Sequence, residues 1–142
     1  MNAQVKLKVT STLENVRLVG LAAKSISSLH FDSPEDCEFI ETAIVEGCTN
    51  VVEHAYRFEP DKKIEVDIEL KPNQLIFTII DEGHRFDPSQ AKPFQFDPDD
   101  LDNLPEGGMG IFIFNTIMDE VQYVTRAGKN HLKLVKHAPQ MN

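Results

Sequence analysis

The sequence predicts a two-layer α+β sandwich, with helices over one face of a mixed, mostly antiparallel sheet. Three observations carry this reading. Two pairs of apolar stretches, 64–70 with 75–80 and 120–124 with 132–136, are joined by short polar turns and read as hairpins. Along the first of them, Ile64, Val66, Ile68 and Leu70 alternate with Lys63, Glu65, Asp67 and Glu69, so one sheet face is buried and the other is wet. Two longer segments before the hairpins carry apolar residues at helical spacing. Helices stacked on the apolar sheet face satisfy all three. The 142 residues are about the size of one domain, so 1–142 is expected to be a single unit.

Each element has its own signal. Val5, Leu7 and Val9 alternate with Lys6, Lys8 and Thr10, the period of a half-buried strand. A helix is expected from Leu13 to about Leu29, with Val16, Val19, Ala23 and Ile26 on its apolar side. Arg17, Lys24 and Ser28 fall opposite, with Leu21 beside them. Ser33 and Pro34 open a second helix as N-cap and first helical residue. Glu35 and Asp36 add acid where the helix dipole favours it. That helix is expected to reach Tyr56, with Cys37, Ile40, Ile44, Cys48, Val51 and Ala55 as its apolar stripe. Glu46, Asn50, Glu53 and Arg57 form a polar stripe opposite. Lys71-Pro-Asn-Gln74 turns the first hairpin, and Leu75–Ile80 is the expected central strand. Residues 82–106 have no regular period and contain Pro88, Pro93, Pro98 and Pro105. A stretch this long inside a small domain is usually functional. Gly107-Gly-Met-Gly110 leads into an expected buried helix from Ile111 to Met118. The last hairpin is expected to turn around Ala127-Gly-Lys-Asn130.

Composition excludes several classes. With a formal net charge of −9, binding to free nucleic acid or to an anionic membrane surface is disfavoured. Residues 1–10 lack the apolar core of a signal peptide, and no apolar run reaches the length of a membrane span. Cys37 and Cys48 sit about three helical turns apart, roughly 16 Å, too far for a disulfide. A reducing cytoplasm is the expected compartment.

There is no Walker-type phosphate loop, no G-x-G-x-x-G after the first strand, and no Cys/His spacing for zinc. Three other features bear on chemistry. Glu46 and Asn50 are i and i+4 on one helix face. A carboxylate beside an amide oxygen suits a base next to a hard cation such as Mg²⁺. The same spacing also fits a solvated stripe, although Phe39 and Ala43 share that side. Asp81-Glu-Gly83 follows the central strand, where an acid is placed to accept from an exocyclic amine such as that of adenine. Gly83 there allows a close approach to a flat ring. An acidic turn is the plainer alternative. Finally, Glu106-Gly-Gly-Met-Gly110 before a helix exposes backbone N–H groups to an anion, or serves as a hinge.

In this order and spacing, the three features resemble the boxes of the GHKL ATPases. Glu46-x-x-x-Asn50 is similar to the N box, Asp81-x-Gly83 to the G1 box and Gly108-x-Gly110 to the G2 box, with 87–106 as the ATP lid. Within that superfamily the chain most resembles the RsbW-like anti-sigma serine/threonine kinases. The words that carry this are Asn50-Val-Val-Glu-His-Ala-Tyr56, Phe86-Asp-Pro88, Leu104-Pro-Glu-Gly-Gly108 and Met118-Asp-Glu-Val121. The resemblance implies the GHKL (Bergerat) fold, Mg-ATP as cofactor, and phosphorylation of a serine or threonine on a small anti-sigma antagonist protein. It also implies a sigma factor as the partner held inactive, and a homodimer. Carried over by motif, Asn50 holds Mg²⁺, Glu46 takes the proton of the incoming hydroxyl and Asp81 reads adenine. Gly83 gives room, and Gly108 and Gly110 let the lid and helix N-terminus meet the phosphates. Arg17, on the first helix, is the expected partner contact.

The chain departs from the pattern at two places. The G1 box is often Asp-x-Gly-x-Gly, but position 85 is Arg, placed either to contact phosphate or to stiffen the lid entrance. A Thr often found near the start of the last strand is replaced within Lys129-Asn130-His131. Two further classes compete with the kinase reading. One is a nucleotide-dependent protein-binding module without kinase activity, which has no need of Glu46. The other is the ATPase domain of a histidine kinase, disfavoured because no dimerising helical hairpin with a phosphoacceptor His precedes residue 13.

Overall fold

The computed structural model describes residues 2–88, 114 and 116–139. Strand β1 (Ala3–Thr10) is followed by helices α1 (Leu13–Ser27) and α2 (Pro34–Asn50), the latter continued by a π-helical turn, Val51–Ala55. Then come β2 (Lys63–Lys71), β3 (Gln74–Asp81), β4 (Glu120–Arg126) and β5 (Lys129–His137). The described strands make one sheet in the order β1-β2-β3-β5-β4, and each pairing is antiparallel.

Register sorts the side chains by face. Leu7, Val66, Ile79, Leu132 and Tyr123 lie in one row across the five strands, on the face that the helices cover. Lys6, Asp67, Thr78, Lys133 and Gln122 form the neighbouring row on the opposite face. The core between the layers joins Val16, Val19 and Ala23 of α1 and Ile40, Ile44 and Cys48 of α2 to Ile64, Val66, Phe77 and Leu134 of the sheet. β3 lies in the middle, which explains why its sequence is almost continuously apolar. Ile76 points to the wet side but is still buried, paired across strands with Val135. Both cysteines are free and buried, as their separation requires.

The helix starts obey local chemistry. Thr12 accepts a hydrogen bond from the N–H of Asn15 and caps α1, while Ser33 accepts from that of Asp36 and caps α2 with Pro34 behind it. The second helix ends where the apolar pattern said it would, but its last turn widens. The Tyr56 N–H bonds back five residues to the Val51 carbonyl at 2.8 Å, and Arg57 and Phe58 then take left-handed backbone angles that end it. Of the expected helix Ile111–Met118, Phe114, Thr116 and Ile117 are described as helical, and Phe114 and Met118 join the core.

The last hairpin is tighter than the sequence suggests. Ala127 and Gly128 both have positive φ (52° and 75°), the pattern of a two-residue turn matched to strand twist. Lys129 and Asn130 therefore belong to β5 and not to the turn, which puts Asn130 directly opposite Asp81.

Candidate functional site

Two elements bring the candidate residues together. α2 and its π-helical turn pack across the C-terminal end of β3, so Asn50 and Asp81 line one small cavity of about 20 Å³. Gly47, Val51 and Ala55 form its helix wall, and Ile79 and Leu132 its sheet wall. Tyr123, Phe86 and Pro88 complete it. The space is water-sized, so a purine enters only if a wall moves. Phe86 and Pro88 are the lining residues outside the helices and strands described above.

Asp81 is 4% exposed at the strand end. Its Oδ1 accepts from the backbone N–H of Gly83 and from the side-chain amide of Asn130, each at 2.9 Å. Burial pushes its carboxyl above the ordinary aspartate value, against the pull of the Asn130 amide, the Gly83 N–H and His131. A buried acid with one oxygen tied to the protein and apolar walls around it suits an aminopurine edge.

Gly83 is dictated by its close approach to the end of the helix. A Cβ there would lie 2.5 Å from the Ala55 carbonyl oxygen and 2.8 Å from Tyr56 Cδ1. The Ala55 carbonyl, one of the orphan acceptors at a helix end, accepts from the His84 N–H at 2.9 Å. The Tyr56 hydroxyl donates to the Lys63 carbonyl at 2.6 Å and accepts from the Glu82 N–H at 2.8 Å. The Asp81-Glu-Gly83 segment is thus docked on the end of α2.

Glu46 stands one turn before Asn50 on α2, half-buried, outside the cavity lining. Burial first, then repulsion from Glu53, raises its carboxyl above the ordinary value, while His54 lowers it. That is the direction a general base at neutral pH requires. Of the expected polar stripe, Glu46, Asn50 and Glu53 are half-buried, so that part is not a fully solvated face, while Arg57 is exposed and lies past the helix end. Of the neighbours that suggested this, Ala43 is buried but Phe39 is 47% exposed. Asn50 makes no side-chain hydrogen bond among the described residues, which leaves its amide oxygen available. No cluster of three His, Cys, Asp or Glu groups able to hold a metal occurs among the described residues. Mg²⁺ does not need one, since it is usually held by one or two protein groups together with substrate phosphates. Gly108, Gly110 and all of the expected lid except Asp87 and Pro88 lie outside the described residues.

Sequence reasoning missed the aromatic and amide residues that frame the site. The His54 ring stacks on Phe86 with centroids 4.2 Å apart. The Tyr123 hydroxyl accepts from the Phe86 N–H at 3.0 Å, and the Arg85 guanidinium lies over the Tyr123 ring. Only register brings Tyr123 and Asn130 here, since each reads as an ordinary strand or turn residue. Arg17, on α1, is exposed and does not line the cavity. Lys24, expected on the same side of the helix, lies 3.7 Å from Glu38 of α2, which offsets its charge.

Residues 9–136 match the histidine kinase-like ATPase domain family, nearly the whole of the fold just described. The chain belongs to this family. Among similar proteins is the serine-protein kinase RsbW of Bacillus thuringiensis strain Al Hakam, 30% identical over 129 residues, which cover 88% of this chain and 79% of the relative. RsbW of Bacillus velezensis is also 30% identical, over 87% of this chain and 79% of its own length. A solved structure of the RsbU and RsbW domains of a Mycobacterium tuberculosis protein superposes with a TM-score of 0.67 at 17% identity, over 97% of this chain. The chain spans about a third (33%) of that solved chain, and the likeness shows the shared fold. For a histidine kinase-like ATPase domain, the cavity between α2 and the end of β3 is the natural candidate nucleotide site. No described helix is long and apolar enough to cross a membrane.

Proposed function

We propose that this chain is a Mg-ATP-dependent serine/threonine-protein kinase of the RsbW kind, acting as an anti-sigma factor in a partner switch. The observation that carries the reading is the convergence of Asn50 and Asp81 on one cavity, with Glu46 one helical turn away and its carboxyl raised. The curated relatives named as serine-protein kinases support the same activity.

In this reading Asp81 accepts a hydrogen bond from the exocyclic amine of adenine, against walls supplied by Val51, Ile79 and Leu132. Asn50 supplies an oxygen toward the metal. Mg-ATP, when bound, supplies the transferable phosphoryl group and the charge neutralisation that phosphoryl transfer depends on. Glu46 removes the proton from the incoming serine or threonine hydroxyl of a small antagonist protein. Gly108 and Gly110 are proposed to admit the phosphates, and 87–106 to act as the lid. Arg17 is proposed to contact the sigma factor or the antagonist, in a homodimer within the cytoplasm.

The deciding experiment mixes the chain with candidate antagonist proteins and labelled Mg-ATP. Label on a serine or threonine of one antagonist, much reduced with Glu46→Gln, is the expected result. Nucleotide binding without transfer to any antagonist would instead indicate a binding module.

A further inference from the structure

Asn130 has a defined orientation, and the polar atoms around it show why. Arg85 Nη1 lies 3.0 Å from the Thr125 hydroxyl, and a guanidinium only donates. The Thr125 oxygen is therefore an acceptor toward Arg85, and its one proton goes to Asn130 Oδ1 at 2.8 Å. With its oxygen so engaged, Asn130 turns its amide nitrogen to two acceptors, Asp81 Oδ1 at 2.9 Å and the Gly83 carbonyl at 3.0 Å. A flipped amide would set its oxygen against that carboxylate and that carbonyl, losing both bonds. Asn130 is 2% exposed, so water is poorly placed to compensate.

The consequence falls on Asp81. Both of its hydrogen bonds among the described residues end on Oδ1. Oδ2 is left as the acceptor for whatever occupies the cavity.

We propose that Arg85, Thr125 and Asn130 form a hydrogen-bond relay that fixes the carboxylate of Asp81, making them positioning residues for the choice between 6-amino and 6-oxo purines. This rests on the nucleotide-binding reading above and goes beyond it, because none of the three needs to touch the ligand. A 6-amino group donates to the fixed oxygen. A 6-oxo group meets it lone pair to lone pair, unless the carboxyl takes up a proton and becomes a donor. Burial favours that proton, and the Asn130 amide is the larger of the two hydrogen bonds opposing it. Loosening the relay therefore relaxes discrimination by two routes, aim and charge. Arg85, which stands where a second glycine is common, here supports the reading acid through Thr125 of β4.

The test is calorimetry of the full chain with Mg-ATP and Mg-ITP, in which inosine replaces the 6-amino group with an oxygen. Wild type is expected to prefer ATP. Thr125→Val keeps the shape but not the hydroxyl, and the ATP/ITP affinity ratio is expected to fall about five- to tenfold, the worth of roughly one hydrogen bond. Thr125→Ser restores the hydroxyl and is expected to keep the wild-type ratio. A purely structural role would lower both affinities together, or lower the melting temperature, without moving the ratio. If Thr125→Val fails to fold, the exposed Arg85→Met decides, with an expected fall of about twofold or more. Wild-type preference for ATP with an unchanged ratio in the folded variants overturns the relay alone. A wild-type chain that binds neither nucleotide, or both equally, overturns the adenine assignment and the relay with it.

Discussion

Gly83→Ala is a sharp test of how the candidate site is built. The added methyl would lie 2.5 Å from the Ala55 carbonyl oxygen, 2.7 Å from its carbon and 2.8 Å from Tyr56 Cδ1. The nearest two are backbone atoms of a helical turn, so no side-chain rotation relieves the clash. Either the 82–84 segment lifts from α2, losing the His84 N–H bond to the Ala55 carbonyl, or the end of α2 shifts. Overpacking of this kind costs about 1–3 kcal/mol. At about 2.1 cal/mol/K per residue, a chain of 142 residues unfolds with an entropy near 0.3 kcal/mol/K, so a cost of about 2 kcal/mol lowers Tm by about 7 °C. Because Gly83 donates to Asp81, nucleotide affinity should fall with it. Gly128→Ala is the control: it too adds a methyl, here at a positive φ that Gly83 does not have, but one that meets nothing within 4 Å. It should lose only about 1 kcal/mol and leave nucleotide binding intact. Thermal unfolding by circular dichroism reads both. A Gly83→Ala chain that melts within a degree of wild type would refute the docking of this segment on the helix end.

Other outcomes follow from the same geometry. Glu46→Gln should bind Mg-ATP nearly as wild type but transfer phosphate roughly 10²- to 10⁴-fold more slowly, and an unchanged single-turnover rate would return Glu46 to a structural role. Because the folded pKa of Glu46 lies above its unfolded value, the folded chain binds that proton more tightly, and stability falls as pH rises from about 4.5 through the raised pKa. Glu46→Gln should therefore melt higher than wild type at pH 7, with the gap closing below pH 4.5, and an identical gap at both pH values would contradict this. Asp81→Asn should weaken ATP binding and shift preference toward 6-oxo purines, since an amide can donate; calorimetry that finds adenine preference intact would remove Asp81 as the reader. Arg17→Glu should weaken a sigma-factor or antagonist complex by roughly 30-fold, about 2 kcal/mol for an interface hot spot, while ATP affinity stays constant. Equal partner affinity in the variant would make that side of α1 a solvated face.

What the sequence determined by itself is what depends on neighbours along the chain. The period of two in Ile64–Leu70 and the helical stripe from Cys37 to Ala55 set strands and helices, because each residue's face follows from the local backbone repeat alone. Ser33 and Pro34 marked a helix start for the same reason. The spacing of Glu46 and Asn50 gave a shared helix face without reference to any other element. Tertiary structure decided what depends on which elements meet. The order β1-β2-β3-β5-β4 inserts β5 between β3 and β4, and a two-residue turn shifts Asn130 into the strand, so an ordinary turn residue comes to face Asp81 across 49 positions. Gly83 reads in the sequence as room for a ligand, and only the fold shows that a side chain there would also strike the helix end. Tyr56, Tyr123 and Arg85 carry no local period that marks them, since the site partners that give them their place lie 26, 37 and 40 residues away. Hydrogen bonds across such distances are fixed only once packing has chosen the register, and a slip of one residue would turn a strand's apolar side chains away from the helices.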